Sequence, residues 1–345
     1  MGMMALVALA FTSCKKNETP KQTFRFNAPE FSYESLDEER MYIVNQDGQS
    51  YGYFERGDVC MLFNINETTP TKSHAALYGA TEPGTSEVPF VNIGYGEIGE
   101  DMLDGYYAYY PGGVGHMITF LADGENKCKF YVAPEQKYRP GKVAKDALYS
   151  AAKGVDDTHL MYGETHFNFE PICGVLALKP YENVTTPRSI KKIEVVDNAF
   201  CLSGLVELII PEVDPVEMKA LLQNFNLDNP SYVAQLEAYK NRVGYNVTGE
   251  TVYNMLNGEY DTYVKGNRMT LKVQDGEQAA VQMGKAKANT PVFNIVLRPL
   301  ACRYGFQIIF TFDDNTTAVK TYNGSPTNYI KPGIVSSLSV DLAGL

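Results

Sequence analysis

The residues best suited to metal, acid–base or redox chemistry form no recognised site. The four histidines are His74, His116, His159 and His166. Asp156, Asp157, His159 and His166 could together meet a metal, but Asp-Asp-x-His is no established ligand set, and a solvated loop between strands explains it equally well. The six cysteines contain no CxxC pair, so neither a zinc site nor a disulfide framework is signalled. Cys60, Cys173 and Cys201 sit in apolar runs and read as buried free thiols, with a Cys173–Cys201 bridge left open. Gly94, Gly96 and Gly99 spell GxGxxG, yet Glu100, Asp101 and Asp104 follow where a phosphate site needs a helix N-terminus. A glycine-rich loop between strands is expected there. Arg56-Gly57-Asp58 reads as a turn into a strand, and Asp313-Asp314-Asn315 as a hairpin turn too poor in carboxylates for calcium. Ser203 has no base beside it, and no GxSxG, HExxH or Walker loop occurs. The expectation is a protein without a cofactor or metal and not an enzyme.

Tyr106-Tyr107-Ala108-Tyr109-Tyr110-Pro111 is the other conspicuous cluster. It could present rings to a sugar. In a strand, however, successive side chains face opposite ways, so at least one set should pack inward. Sugar platforms also favour Trp, which the chain lacks. The elements that must carry these residues are short and β-rich. Runs at 23–26, 41–44, 59–63, 105–110, 129–132, 174–178, 191–196, 206–210, 269–273, 293–297, 305–312, 318–322 and 335–342 are rich in β-branched and aromatic residues. Turn pairs such as Asp47-Gly48, Asn257-Gly258, Asp275-Gly276 and Asn323-Gly324 punctuate them. No βαβ rhythm appears, which argues for β-sandwiches. Residues 215–243 differ. Asp214-Pro215 and Asn229-Pro230 each open a helix-like segment, with Leu221, Leu222 and Phe225 as an imperfect apolar face in the first and Val233, Leu236, Ala238, Tyr239 and Val243 near helical spacing in the second.

The chain has 345 residues and a net charge of −11 with no basic run, which argues against nucleic acid as a partner. The length suits two domains, with a boundary near 203–206. The first thirteen residues are uncharged and apolar, too short to span a bilayer but suited to the apolar region of an export signal. Phe11-Thr12-Ser13-Cys14 is similar to a bacterial lipobox, with Phe11 where Leu is usual and no basic stretch before it. A start assigned too far downstream accounts for the missing charge. Cys14 is therefore either a lipidated cysteine, anchoring the chain to a membrane, or a chance cysteine after an ordinary signal. Residues 14–22 read as a polar tether.

The ordered set of segments resembles the fimbrillin-like (Mfa-like) pilin and fimbrial lipoprotein family of Bacteroidetes. The likeness rests on Tyr53-Phe54-Glu55-Arg56-Gly57-Asp58-Val59, on the tyrosine run, and on Pro134-Glu135-Gln136-Lys137-Tyr138. It continues through residues 146–151, 167–178, 190–204, 291–299 and 330–342. Tyr53 where Trp is common, and the helical insert, depart from the pattern. The resemblance implies an all-β chain of two transthyretin-like β-sandwiches, 23–204 and 205–345, with the insert at 215–243. It implies a subunit of a surface fimbria (type V pilus), exported as a lipoprotein to the outer membrane and joined head to tail with other pilin subunits by donor-strand exchange. Arg40 best matches the family's processing site, ahead of Arg25 and Arg56. The donor strand would be residues 335–342, with Val335, Leu338, Val340 and Leu342 as its apolar members. The alternative is an outer-membrane lipoprotein that binds a glycan or another host or bacterial surface ligand.

Overall fold

The computed structural model describes residues 23–34, 44–46, 49–66, 68–69, 74–94, 96, 98, 105–112, 117–119, 126–144, 147–154, 164–210, 214–224, 226–243, 246–248, 250–254, 259–263, 265–276, 278–325 and 328–345. The fold is all-β with two short helices, α1 (Pro215–Gln223) and α2 (Pro230–Val243). Both arise where local chemistry demands. Asp214 caps α1, its Oδ1 accepting from the N–H groups of Val216 at 2.9 Å and Glu217 at 3.0 Å. Pro215 occupies the first helical position, where its missing N–H is harmless. Met218 and Leu222 form the buried face of α1, and Tyr232, Leu236 and Tyr239 that of α2; Leu221 is only half-buried and Phe225 lies outside the described residues. The Tyr232 hydroxyl donates to the Leu221 carbonyl at 2.7 Å, tying the helices together.

The largest sheet has eight strands. Their order is Glu164–Asn168, Thr23–Asn27, Val88–Asn92, His74–Ala80, Val59–Ile65, Gly105–Tyr110, Ser150–Lys153 and Glu170–Pro171. The sheet curls until its ends meet, where an isolated bridge joins Gly154 to Phe167. Alternation then separates two cores. Cys60, Leu62, Tyr78, Phe90, Ala108 and Phe167 point into the curl with Phe24 and Phe26. Met61, Phe63, Ile65, Leu77, Tyr107 and Tyr109 point outward into a second, larger core.

That larger core lies among three further sheets. One orders Asn246–Thr248, Gly204–Ile209, Lys127–Val132 and Met117–Thr119. Another orders Glu135–Lys137, Arg268–Lys272, Ser189–Asp197, Gly305–Phe312 and Thr317–Asn323, with Val281–Gln282 beside Ser189–Asp197. The last orders Phe293–Leu297, Gly174–Tyr181, Ile334–Asp341, Glu30–Glu34, Gln49–Tyr51 and Val44–Gln46. Strands from before residue 204 and after residue 205 thus share each of these three sheets. Among the described residues no helix is long and apolar enough to cross a membrane.

Candidate functional site: the seat of the first strand

Alternating Phe24 and Phe26 in the segment TFRFN make a strand with one strongly apolar face. This first strand lies in the interior of the curled sheet, parallel to Glu164–Asn168 and antiparallel to Val88–Asn92. Phe24 pairs across to Thr165 and Phe90, and Phe26 to Phe167 and Val88. Both rings are fully buried, at 0% exposure. Phe24 meets the edge of Tyr78 at 5.1 Å between centroids. Phe26 stacks on Phe167 at 4.8 Å and touches Phe90 at 4.5 Å. Each such pair adds about 0.5–1.5 kcal/mol beyond the burial itself. Asn27 closes the strand. Its Nδ2 donates to Asn168 Oδ1 at 2.7 Å, and its Oδ1 accepts from the Glu87 N–H at 2.8 Å, so one amide bridges both neighbours.

A tight connection leads on to the second strand, Glu30–Glu34, which enters a different sheet. It runs parallel to the closing strand Ile334–Asp341 and antiparallel to Gln49–Tyr51. Phe31 is buried in the larger core. Residues 23–34 therefore contribute interior strands to two sheets. Without them, Val88–Asn92, Glu164–Asn168 and one side of Ile334–Asp341 would present open edges.

The closing strand is also an interior strand. Parallel pairing to Gly174–Tyr181 holds its other side. Val335, Val340 and Leu342 are buried and Leu338 is half-buried. Beyond it, the Leu345 carbonyl accepts from Arg188 Nη2 at 3.2 Å, and Arg188 also pairs with Glu182 at 2.7 Å. Cys14 and Arg40 lie outside the described residues. Arg25 lies within the first strand, paired with His166 and Pro89, and Arg56 donates from Nε to the Thr81 carbonyl at 2.9 Å.

Other sequence candidates resolve as structure. In the tyrosine run, Tyr107 and Tyr109 are 2% exposed and Tyr110 is buried, which leaves no ring-lined platform for a sugar. Gly57 turns the chain at φ +85°, and Asp58 is buried, its Oδ2 accepting from the Glu55 N–H at 2.8 Å. Asn92 clasps the glycine loop, accepting from the Gly94 N–H at 2.7 Å and donating to the Gly96 carbonyl at 2.9 Å. A Cβ on Gly96 would fall 2.1 Å from the Ala75 carbonyl oxygen, so packing accounts for the glycine. His166 Nδ1 pairs with Glu87 at 3.0 Å, while Asp156, Asp157 and His159 lie outside the described residues. Among the described residues no three His, Cys, Asp or Glu side chains are grouped to hold a metal ion. Cys60, Cys173, Cys201 and Cys302 are all free, so Cys173 and Cys201 do not pair. Burial pushes the Cys173 thiol up to about 12, which keeps it inert. Cys201 is half-buried instead of buried.

No protein-family model matches the chain, and no curated protein matches its sequence. Similar solved structures include a protein provisionally named as a cell adhesion protein from Bacteroides ovatus. It shares 12% identity over 93% of this chain and 91% of that one, with a TM-score of 0.46. A provisionally named cell adhesion protein from Bacteroides uniformis shares 13% identity over 84% of this chain and 88% of its own, with a TM-score of 0.42. A fimbrial assembly protein from Parabacteroides distasonis shares 7% identity over 92% and 89%, with a TM-score of 0.33.

Proposed function

We propose that this protein is a structural or accessory subunit of a surface fimbria, exported as a lipoprotein anchored through Cys14 and assembled by donor-strand exchange after cleavage at Arg40. The observation that carries the reading is the seat of residues 23–34, two interior strands that both precede Arg40 in the chain. One cut there would do two things. It would release Phe24 and Phe26 from the curled sheet, opening an aromatic groove between two strand edges. It would also remove one of the closing strand's two parallel neighbours, loosening one side of the segment that carries Val335, Leu338, Val340 and Leu342. Acceptor and donor would thus be unlocked by the same event, and a strand passed from each subunit to the next gives an open filament.

A division into two bodies belongs to the same proposal. The proposed division is 23–204 and 205–345, across which Gly174–Tyr181 and Ser189–Asp197 pair with strands of the last third of the chain. The test is made on protein recovered from the surface of the producing cells. The expected product begins at Met41 and runs as an SDS-resistant ladder on unboiled gels, and Arg40→Ala abolishes both. Mature protein that retains residues 15–40 and never forms a ladder would sink the polymerising role.

A further inference from the structure

Beneath the two helices lies a cavity of about 310 Å³. Its floor is Phe130, Val206 and Leu208 of one sheet, and its walls include Met218 and Leu222 of α1 and Leu236 of α2, all buried. Half-buried Phe200, Arg298, Pro299 and Leu300 form its rim. Arg298 is the one charged residue among the described residues of the lining. Its Nη1 donates to the Cys201 carbonyl at 2.8 Å, which fixes the guanidinium at the mouth.

The rim is held in an uncommon backbone shape. Leu300 and Cys302 both have positive φ, +67° and +72°, a region that non-glycine residues seldom adopt. The fully buried Asp197 ties Phe200 of the rim to Cys302, two residues beyond Leu300. Its carboxylate accepts from the N–H groups of Cys302 at 2.6 Å, Phe200 at 2.7 Å and Ala199 at 2.8 Å. Strain persists only where its surroundings over-determine it, and ligand clamps are among the places it gathers.

The lining is mostly apolar, with Tyr149, Tyr239 and Cys173 carrying its few other polar atoms, so the interior suits hydrocarbon better than water, which needs several polar partners. A volume roughly twice the ~150 Å³ that accommodates benzene takes about a dozen heavy atoms. We propose that this cavity binds a medium-chain fatty carboxylate of the size of decanoate, its alkyl chain among Val206, Leu208 and Leu236 and its carboxylate on Arg298. The site is independent of strand exchange, because none of these groups belongs to residues 23–34 or 334–341.

Calorimetric titration of the full chain tests it, with decanoate, decanol and decyltrimethylammonium each kept below micelle formation. Decanoate is expected to fill one saturable site per chain and decyltrimethylammonium to bind far more weakly. Arg298→Gln should weaken decanoate about tenfold and leave decanol unchanged. Met218→Trp, which fills the cavity, should remove both ligands. The proposal is overturned if decanoate does not saturate the wild-type chain. It is equally overturned if Arg298→Gln shifts decanoate and decanol alike. Should Met218→Trp fail to fold, the Arg298→Gln comparison decides alone.

Discussion

Single side chains carry much of the joining between sheets. Gln136 is one. Its buried amide donates to the Val296 carbonyl at 2.7 Å and accepts from the Val296 N–H at 3.0 Å, so it reads a neighbouring strand as another strand would. Glu194, on Ser189–Asp197, behaves differently because it can titrate. Burial alone would raise its carboxyl, but hydrogen bonds from Lys192 and Arg268 outweigh burial and hold it below the usual carboxylate range. Lys192 Nζ stands 2.9 Å away and Arg268 Nη1 2.7 Å. A depressed carboxyl stabilises the fold above its unfolded-state pKa, and that contribution is lost as pH falls through the folded value. Urea midpoints measured from about pH 6 down to about pH 3 should fall less steeply in Glu194→Gln than in the wild type. Parallel slopes would show that the two cations contribute nothing through Glu194.

At the level of strands, the first one is the most consequential. Phe26 touches Phe90, Phe167 and Phe169, so removing its ring leaves a void walled by aromatics that cannot collapse easily. Phe26→Ala should cost about 3–5 kcal/mol in denaturant unfolding, while Thr317→Ala on the exposed face of Thr317–Asn323 should change little. Much of this strand architecture is legible in the residues. β-Branched and aromatic content marks Gly105–Tyr110, Phe293–Leu297 and Gly305–Phe312 with their observed bounds, and the Asp214-Pro215 pair marks α1. His74–Ala80 and Val88–Asn92 are not marked, although they build the first strand's seat. Ala75, Ala76 and Gly79 have weak strand preference, and Pro89 breaks the local pattern of its run. Their strand character comes from pairing with distant segments, which local propensity does not encode. The rim of the cavity was illegible for a related reason. Cys302 takes its positive φ where Asp197, about a hundred residues away, accepts from its N–H, and Leu300 takes its own where the Ile330 carbonyl does the same.

On the scale of the molecule, acidity and topology act together. A net charge of −11 gives a solvated, self-repelling surface and disfavours random association, so subunit contact in the proposed filament would have to come from a specific seat. The proposed filament meets that need with backbone pairing and buried rings instead of surface charge. If the proposed cleavage at Arg40 yields fibres, their staining should therefore persist in high salt, where charge-driven contacts would be screened.

The parallel pairing of Glu30–Glu34 with Ile334–Asp341 also orders events in time. Ser32 meets Ile334 about three hundred residues further along the chain. Under the proposed export, a polypeptide threaded from its N-terminus delivers residues 30–34 about three hundred residues ahead of their partner. Throughout that interval the early segment has an unpaired edge and an unburied Phe31. Folding should be slow, and pulse proteolysis during refolding should find residues 30–34 gaining protection in the same kinetic phase as residues 334–341. Protection of the early segment well before the late one would mean that another strand holds its place in the meantime.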